Sequence, residues 1–293
     1  MFDYRRITID DAAKFKEYSA RAASLSCQKS FAYVFMWSTV LKTEICMEPE
    51  AIYFRIPDPE KDGCYKYVSP LIVGDVEQIL DKMLAKAHEK GCKLTLVGAD
   101  EEVAVIAKNK GLSVKHSRGA SEYLYATRDL IDLAGKKFHA KRNFVNRFIR
   151  ENEYTYRRLE ENDFDECLTL ARKWKGDSDG FWINAEYRAI ETVFEYWNQL
   201  SLAGGLIKID GNIVAFTVGE VVGDMGIVHF EKANVEVKGI YAAINNFFAE
   251  DYFNKTQLIN RQEDMNIPGL RKSKQSYNPI AMVNKYDISE VDK

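Results

Sequence analysis

Hydrophobic side chains recur along this chain at two spacings, one typical of helices and one typical of strands. Positions 76, 79, 80, 83 and 84 are apolar, and this three- and four-residue spacing predicts an amphipathic helix that begins after Asp75. Short apolar runs bounded by glycine, proline or aspartate lie between such helical stretches and predict strands. The mixture predicts an α+β fold.

The last third of the chain has a distinctive order of predicted elements. They are a strand over 154–159, a helix after Asp163, a loop over 176–180, a long helix over 185–202, strands over 206–209, 213–222 and 226–232, a helix over 240–252, a strand over 257–260, a helix over 268–276 and a strand over 281–286. This is the order of a GNAT acetyltransferase domain, and the first half shows a looser version of it. We therefore predict two tandem acetyltransferase-like domains, each a mixed, mostly antiparallel sheet flanked by helices. Their limits are 1–130 and 153–293, with a basic connecting helix over 131–152.

Composition sets outer limits on function. The 293 residues are 46% hydrophobic with a net charge of −3, which suits one large or two smaller domains and requires neither nucleic acid nor an anionic surface as partner. No run approaches the roughly 18 uncharged residues of a membrane-spanning helix, and residues 1–6 lack the apolar core of a signal peptide. Motifs for nucleotide hydrolysis, dinucleotide binding, zinc proteolysis and serine hydrolysis are absent, and the four histidines show no metal-ligand spacing.

The five cysteines are scattered and form no Cys-x-x-Cys pair. An odd, scattered set is typical of reduced thiols, so we expect all five to be free: Cys27, Cys46, Cys64, Cys92 and Cys167. Together with the absence of a signal peptide, this predicts a cytoplasmic protein.

A basic helix is predicted over residues 136–150, which hold six Lys or Arg and no acid. Its polar side can bind phosphates or can simply be solvated, and it collects three candidate ligand-binding residues: Arg142, Asn143 and Arg147. Lys141 falls instead on the apolar side of the helix. A lysine directed inward needs an acidic partner or a ligand anion.

Two predicted strands end in groups suited to proton transfer. His229 and Glu231 are two apart on one strand and share a face, so they are candidates for an orienting group and a base, or for a buried polar pair. Arg261, Glu263 and Asp264 follow the next strand and form either a second acid–base cluster or a solvated turn. Glu231 or Asp264 is the expected partner of the inward lysine.

Four runs of sequence resemble an uncharacterised bacterial family that is grouped with the C-terminal catalytic domain of phosphatidylglycerol lysyltransferase. They are residues 135–143 (GKKFHAKRN), 229–233 (HFEKA), 260–265 (NRQEDM) and 269–277 (GLRKSKQSY). The resemblance covers nearly the whole chain and implies tandem acetyltransferase-like domains similar to the Fem-type aminoacyltransferases. Those relatives take an aminoacyl group from a charged tRNA. The lysyltransferases also carry a membrane region that has no counterpart here, so the resemblance does not imply a lipid acceptor.

The resemblance and the residues themselves point to further site residues. Acetyltransferases often keep a tyrosine that protonates the leaving group, and Tyr277 lies close to its place. Arg271 and Lys274 share one side of the preceding helix and are candidates to hold an acidic group, or to form a solvated face. The residues expected to bind donor or substrate are Lys141, Arg142, Asn143, Arg147, Lys238, Gly239, Asn245, Asn260, Arg261, Arg271 and Lys274.

The donor loop departs from the acetyltransferase pattern. Acetyltransferases bind the CoA pyrophosphate with backbone amides of a glycine-rich loop at a helix start. Here Gly239 is present, but Glu236 replaces the leading Arg or Gln and Tyr241 replaces a small residue. Lys238 compensates only in part, so the loop argues against ordinary acetyl-CoA binding. We expect no tightly bound cofactor, and acyl-CoA and aminoacyl-tRNA both stay open as donors.

Two functions of different classes follow. The first is an acyl- or aminoacyltransferase that acts on an amine or hydroxyl of a small molecule or peptide, with tRNA as a candidate partner. In it Glu231, or Glu263 with Asp264, takes the proton, His229 orients the base and Tyr277 acts as acid. The alternative is a non-catalytic module on a degenerate transferase fold that binds a small anionic ligand or tRNA.

Overall fold

The chain forms two seven-stranded sheets flanked by helices, in a computed structural model that describes residues 3–176 and 180–291. The contacts form two units. The first runs to Glu122 and includes Glu263–Pro268 and the chain from Met282 onward, and the second comprises Tyr123–Gln262 and Gly269–Ala281. The domain limits at 130 and 153 stay a prediction, and the loop at 176–180 lies mostly outside the described residues.

The first unit has a sheet with the strand order β1-β2-β3-β4-β5-β14-β6. Within the described residues, neighbouring strands of this sheet are antiparallel except β4 and β5, which run parallel. Its elements are β1 (Arg5–Arg6), α1 (Ala12–Arg21), α2 (Phe31–Leu41), β2 (Glu44–Glu48), β3 (Ala51–Pro57), β4 (Tyr65–Ile72), α3 (Val76–Glu89), β5 (Thr95–Ala99), α4 (Glu101–Asn109), β6 (Ser113–His116) and, from the end of the chain, β14 (Tyr286–Ser289).

Amphipathic α3 forms as its spacing predicts, over Val76–Glu89. Asp75 caps its first turn by accepting a hydrogen bond from the Gln78 amide at 2.8 Å. Ile79, Leu80 and Met83 are buried against the sheet and α4. Removing such side chains from water is the main stabilising contribution to this unit.

The prediction of five free thiols is wrong, because Cys64 and Cys92 form a disulfide. Cys64 immediately precedes β4 and Cys92 lies three residues before β5. Parallel neighbouring strands start at the same edge of a sheet, so these two residues meet although 28 positions separate them. The other three cysteines are free and buried: Cys27, Cys46 and Cys167.

The second unit repeats this plan, with the strand order β13-β7-β12-β11-β10-β9-β8 and a parallel pair, β11 with β12, inside the sheet. Its elements are β7 (Glu122–Ala126), α5 (Thr127–Asp132), α6 (His139–Glu151), β8 (Tyr154–Arg158), α7 (Phe164–Lys175), α8 (Phe181–Glu195), α9 (Trp197–Leu200), β9 (Ala203–Ile209), β10 (Asn212–Val222), β11 (Met225–Ala233), α10 (Ile240–Tyr252), β12 (Leu258–Glu263), α11 (Pro268–Gln275) and β13 (Ala281–Val283).

Helix α6 packs inside the second unit. Its Val145 and Phe148 are buried, and they join two apolar clusters that contain Ala242 and Ile244 of α10. The inward side of α6 therefore faces α10, and Lys141 lies four residues before Val145 on that side. In the described ranges, no helix has the length and apolar character needed to cross a bilayer.

Candidate active site

The candidate site begins where β11 and β12 part. Their parallel pairing runs from Met225 opposite Leu258 to Ile227 opposite Asn260. Against β10, Val218 pairs with Phe230 and Gly219 with Val228, which leaves His229 as an extra, bulged residue. A bulge bends its strand and re-aims the side chains that follow.

Glu231 lies beyond this bulge and is held by two donors. Arg261 Nη2 donates to Glu231 Oε1 at 3.1 Å, and Asn245 Nδ2 donates to Glu231 Oε2 at 3.4 Å. The Arg261 and Glu231 side chains are only 11% and 12% exposed. Coulomb attraction is strong in such a poorly solvated setting. Glu231 is thus oriented by an arginine from β12 and an asparagine from α10.

His229 was predicted to orient Glu231, and its contacts correct that role. Its Nε2 lies 2.8 Å from Glu220 Oε1, and its Nδ1 lies 3.2 Å from Gln262 Nε2. A glutamate acceptor at Nε2 and an amide donor at Nδ1 suit an imidazole that carries its hydrogen on Nε2. Because His229 is the bulged residue of β11, its imidazole binds Gln262 of β12 and Glu220 of β10 rather than the Glu231 carboxylate.

Lys141 reaches the same cluster from α6. Its Nζ lies 3.9 Å from the centre of the Tyr277 ring. Burial and, to a lesser extent, the nearby positive charge of Arg261 lower the pKa of Lys141 to about 8, whereas Glu231 opposes the change. A lysine with a pKa near neutrality can both donate and accept a proton in the physiological range.

Tyrosine rings and a lysine enclose the Arg261 guanidinium. Its Cζ lies 4.7 Å from the centre of the Tyr277 ring and 5.9 Å from that of Tyr125. The Tyr125 hydroxyl donates to the Lys274 carbonyl at 2.8 Å, and Lys274 Nζ donates to the Arg261 carbonyl. The buried Lys274 therefore holds the backbone of Arg261 through its carbonyl. Burial also raises the pKa of Tyr277 to about 12.

Two polar atoms beside Glu231 have no hydrogen-bond partner among the described residues: Arg261 Nη1 and Asn245 Oδ1. The Asn245 amide is oriented by Glu231, since a carboxylate needs a donor and so takes Nδ2, which turns Oδ1 away. Buried polar atoms are normally paired. One free donor and one free acceptor thus flank the same carboxylate, as in a site that binds a polar ligand.

Several predicted site residues have other roles. Arg142 donates to the carbonyls of Leu133, which directly follows α5, and of Gly135, two residues further on. Arg147 pairs with Glu151 at 2.8 Å. These arginines satisfy nearby protein groups. Among the remaining candidates, Asn143 lies 3.4 Å from His139 Nδ1, Lys238 is exposed, Arg271 is half-buried, and Asn260 is buried with its Oδ1 accepting from the Gln262 amide at 2.7 Å.

Glu263 and Asp264 belong to the first unit. Asp264 is fully buried and pairs with Arg118 at 3.1 Å, while its Oδ1 accepts from the Asn266 amide at 2.9 Å. Of the two acids expected as partners of Lys141, Glu231 is the one that acts on it. The turn after β12 leads the Asp264 carboxylate into a different set of contacts.

Gly239 is explained by packing. Its φ is 85°, and a β-carbon there would lie 2.3 Å from the Phe144 carbonyl oxygen of α6. Only glycine adopts this conformation readily and permits this approach. Tyr241, two residues on, is half-buried. The backbone of α6 thus lies against the start of α10 at Gly239, which is where acetyltransferases hold a pyrophosphate.

Sequence reasoning missed Tyr125, Glu220 and Gln262. Tyr125 is one of 16 tyrosines, and Glu220 lies nine residues before the histidine that it binds. Gln262 stands inside the run 260–265, but alternation along a strand directs it away from its charged neighbours. In the structure Gln262 has a positive φ of 57°, which breaks this alternation, and nothing in the local sequence predicts that conformation for a glutamine.

Comparison with known proteins places the chain in a family. The sequence model of the family described as phosphatidylglycerol lysyltransferase, C-terminal, matches residues 19–289 of this chain. The chain belongs to this family. A conserved protein of unknown function from Bacteroides thetaiotaomicron is 29% identical, with a TM-score of 0.90 over 99% of this chain and 100% of that one.

Two more distant structures share the fold. L-PGS from Bacillus licheniformis has a TM-score of 0.70 at 15% identity, over 97% of this chain and 93% of that one. FemX has a TM-score of 0.63 at 10% identity, over 98% and 96%. The predicted family resemblance and the predicted fold of two tandem acetyltransferase-like domains are confirmed. The family supports a transferase of the aminoacyltransferase type.

Proposed function

We propose that this chain transfers an aminoacyl group from the ester of a charged tRNA to an amine or hydroxyl of a small molecule or peptide, at the cluster around Glu231. The observation that carries the proposal is the buried Arg261, which binds Glu231 through Nη2 and keeps Nη1 unpartnered beside Lys141 and Tyr277. Membership of the family supports the same class of reaction.

The charges of the cluster suit an ester carbonyl. Glu231 balances Arg261, and Lys141 adds one positive charge when protonated. An ester carbonyl oxygen bound at Arg261 Nη1 gains negative charge during attack, and a preorganised buried donor stabilises that charge better than water does. Glu231 keeps the guanidinium oriented for this task.

Lys141 is suited to accept the proton of the nucleophile. With a pKa of about 8, about a tenth of it is neutral at pH 7. The acceptor N–H or O–H attacks the ester carbonyl carbon while its proton passes to Lys141 Nζ. When the tetrahedral intermediate collapses, the bond to the tRNA oxygen breaks, and Lys141 returns the proton to that oxygen. Asn245 Oδ1 is placed to accept a hydrogen bond from the nucleophile.

The closed start of α10 supports tRNA over CoA as the donor. The Phe144 carbonyl stands against Gly239, where CoA phosphates would need free backbone amides and space. A donor whose phosphates lie elsewhere avoids this obstacle.

The test uses tRNA charged with radiolabelled amino acids and the purified protein, with glycinamide as a generic amine acceptor. We expect labelled aminoacyl-glycinamide to form faster than in buffer, and Arg261→Met and Lys141→Met to reduce the rate at least a hundredfold. Lys136→Met is the matched control, because Lys136 is exposed in the same basic stretch. Equal rates in wild type and both site variants would refute the proposal.

Ligand-induced thermal shifts separate the alternatives. A ligand that binds the folded protein raises its melting temperature. Charged tRNA should raise it, whereas CoA and acetyl-CoA should leave it unchanged. Stabilisation by tRNA without any transfer or hydrolysis would favour the non-catalytic module, and stabilisation by CoA alone would favour an acyl-CoA enzyme.

A further inference from the structure

Gln262 has an unusual backbone for its place in a strand. It is the fifth residue of β12, yet its φ is 57°, in the left-handed region that glycine and asparagine favour. Arg261 immediately precedes it. The turn at Gln262 is therefore the local backbone feature that immediately follows Arg261, near the end of β12.

Three hydrogen bonds hold this turn. The Gln262 amide N–H donates to Asn260 Oδ1 at 2.7 Å, and side-chain Nε2 donates to the Val228 carbonyl at 3.0 Å and to His229 Nδ1 at 3.2 Å. His229 is fixed in turn by Glu220 at 2.8 Å. The glutamine amide thus bridges β12 to the bulge of β11, where the direct pairing of the two strands has ended.

We propose that Gln262 is a positioning residue whose side-chain amide, anchored on His229 and the Val228 carbonyl, sets the turn that directs Arg261 onto Glu231. Both hydrogens of its Nε2 are used, so a shorter or acidic side chain cannot reproduce the bridge. Its importance for catalysis rests on the proposed function, whereas its effect on Arg261 does not.

Lys141 provides a readout of the position of Arg261 that is independent of activity. The positive charge of Arg261 contributes to the lowered pKa of Lys141, and Glu231 acts in the opposite direction. If Arg261 leaves its place, Lys141 loses a like charge and faces a less neutralised carboxylate. Both changes raise the pKa of Lys141.

The experiment measures the titration of Lys141 by trace labelling with acetic anhydride across pH, read by peptide mass spectrometry. In the wild type, we expect a midpoint of about 8. Gln262→Gly removes the amide but accepts the positive φ, so the fold is expected to persist. Its midpoint should rise by about one unit or more, a tenfold change in proton affinity. Gln257→Gly, at an exposed position five residues earlier, is the matched control and should leave the midpoint unchanged.

A second variant covers the case in which Gln262→Gly does not fold. Gln262→Asn tolerates the left-handed backbone but is one methylene too short to reach both acceptors, so it should give the same shift. A folded variant with the wild-type midpoint overturns the proposal, and so does unfolding of both variants, which would make Gln262 only a folding determinant. A shifted midpoint in a protein that shows no transfer would uphold the positioning role and reject the proposed function.

Discussion

We expect the charge of Lys141 to lower the free energy of unfolding of this protein. Its pKa falls from 10.5 to about 8 on folding. A lowering of the pKa of this size corresponds to about 3 kcal/mol. Because Lys141 is only partly buried, solvent screening reduces this to about 1–2 kcal/mol. Lys141→Met removes the charge and keeps a side chain of similar length that can pack on the Tyr277 ring.

The sign of the effect depends on pH. A base whose pKa is lowered by folding is protonated more readily in the unfolded state, so stability rises with pH between the folded and unfolded values. The penalty is fully present below about pH 8 and is relieved between about pH 8 and 10.5. We therefore expect Lys141→Met to be more stable than the wild type by about 1–2 kcal/mol at pH 7, with the difference vanishing near pH 10.

Urea unfolding of both proteins at pH 7, 8, 9 and 10 measures this difference, and groups common to both cancel. Lys136→Met is the control and should match the wild type at every pH, since Lys136 is exposed. A destabilised Lys141→Met at pH 7, or a difference that stays constant from pH 7 to 10, would refute the reasoning. The expected result, a more stable protein without activity, is typical of residues kept for function.

Three further predictions concern the fold and the site. Gly239→Ala should lower the free energy of unfolding by more than about 2 kcal/mol, since the new β-carbon would meet a carbonyl at 2.3 Å. Gly223→Ala, at φ 60° with no atom within 4 Å, should cost only about 1 kcal/mol and would contradict this account if it cost as much. Thiol titration in denaturant without reductant should find three reactive cysteines, and five would exclude the bond between Cys64 and Cys92. Glu231→Gln should cost about 3 kcal/mol in equilibrium denaturation, because it leaves a buried guanidinium without its counter-charge, and an unchanged midpoint would show that the pair is well solvated.

Local patterns predicted most of the helices and strands and the inward position of Lys141. The long helix expected over 185–202 is instead two helices, α8 and α9, and the strand expected over 281–286 is divided between β13 and β14. Helical spacing over residues 136–150 puts Lys141 on the apolar side of α6 with the buried Val145 and Phe148, although Phe144 and Ile149 of the same predicted side are exposed. The order of strands and helices likewise depends on short-range signals. These parts of the structure follow from period and sequence alone.

The contacts that could not be predicted from the sequence depend on departures from regular strand geometry. The bulge at His229 and the left-handed turn at Gln262 both break the alternation from which we assigned faces to the strands. Past the turn, Asp264 falls among the contacts of the first unit. The disulfide depends on two strands becoming parallel neighbours, which spacing between cysteines does not encode.

Strand β14 has a consequence for biosynthesis. It lies between β5 and β6, and β6 is joined to its sheet through β14. During translation the first sheet therefore cannot be completed until residue 289 has left the ribosome, by which time the entire second unit has emerged. Until then the amino-terminal unit lacks β14 and is only partly assembled. A nascent chain stalled before residue 286 would therefore expose the open edge of β5 to chaperones.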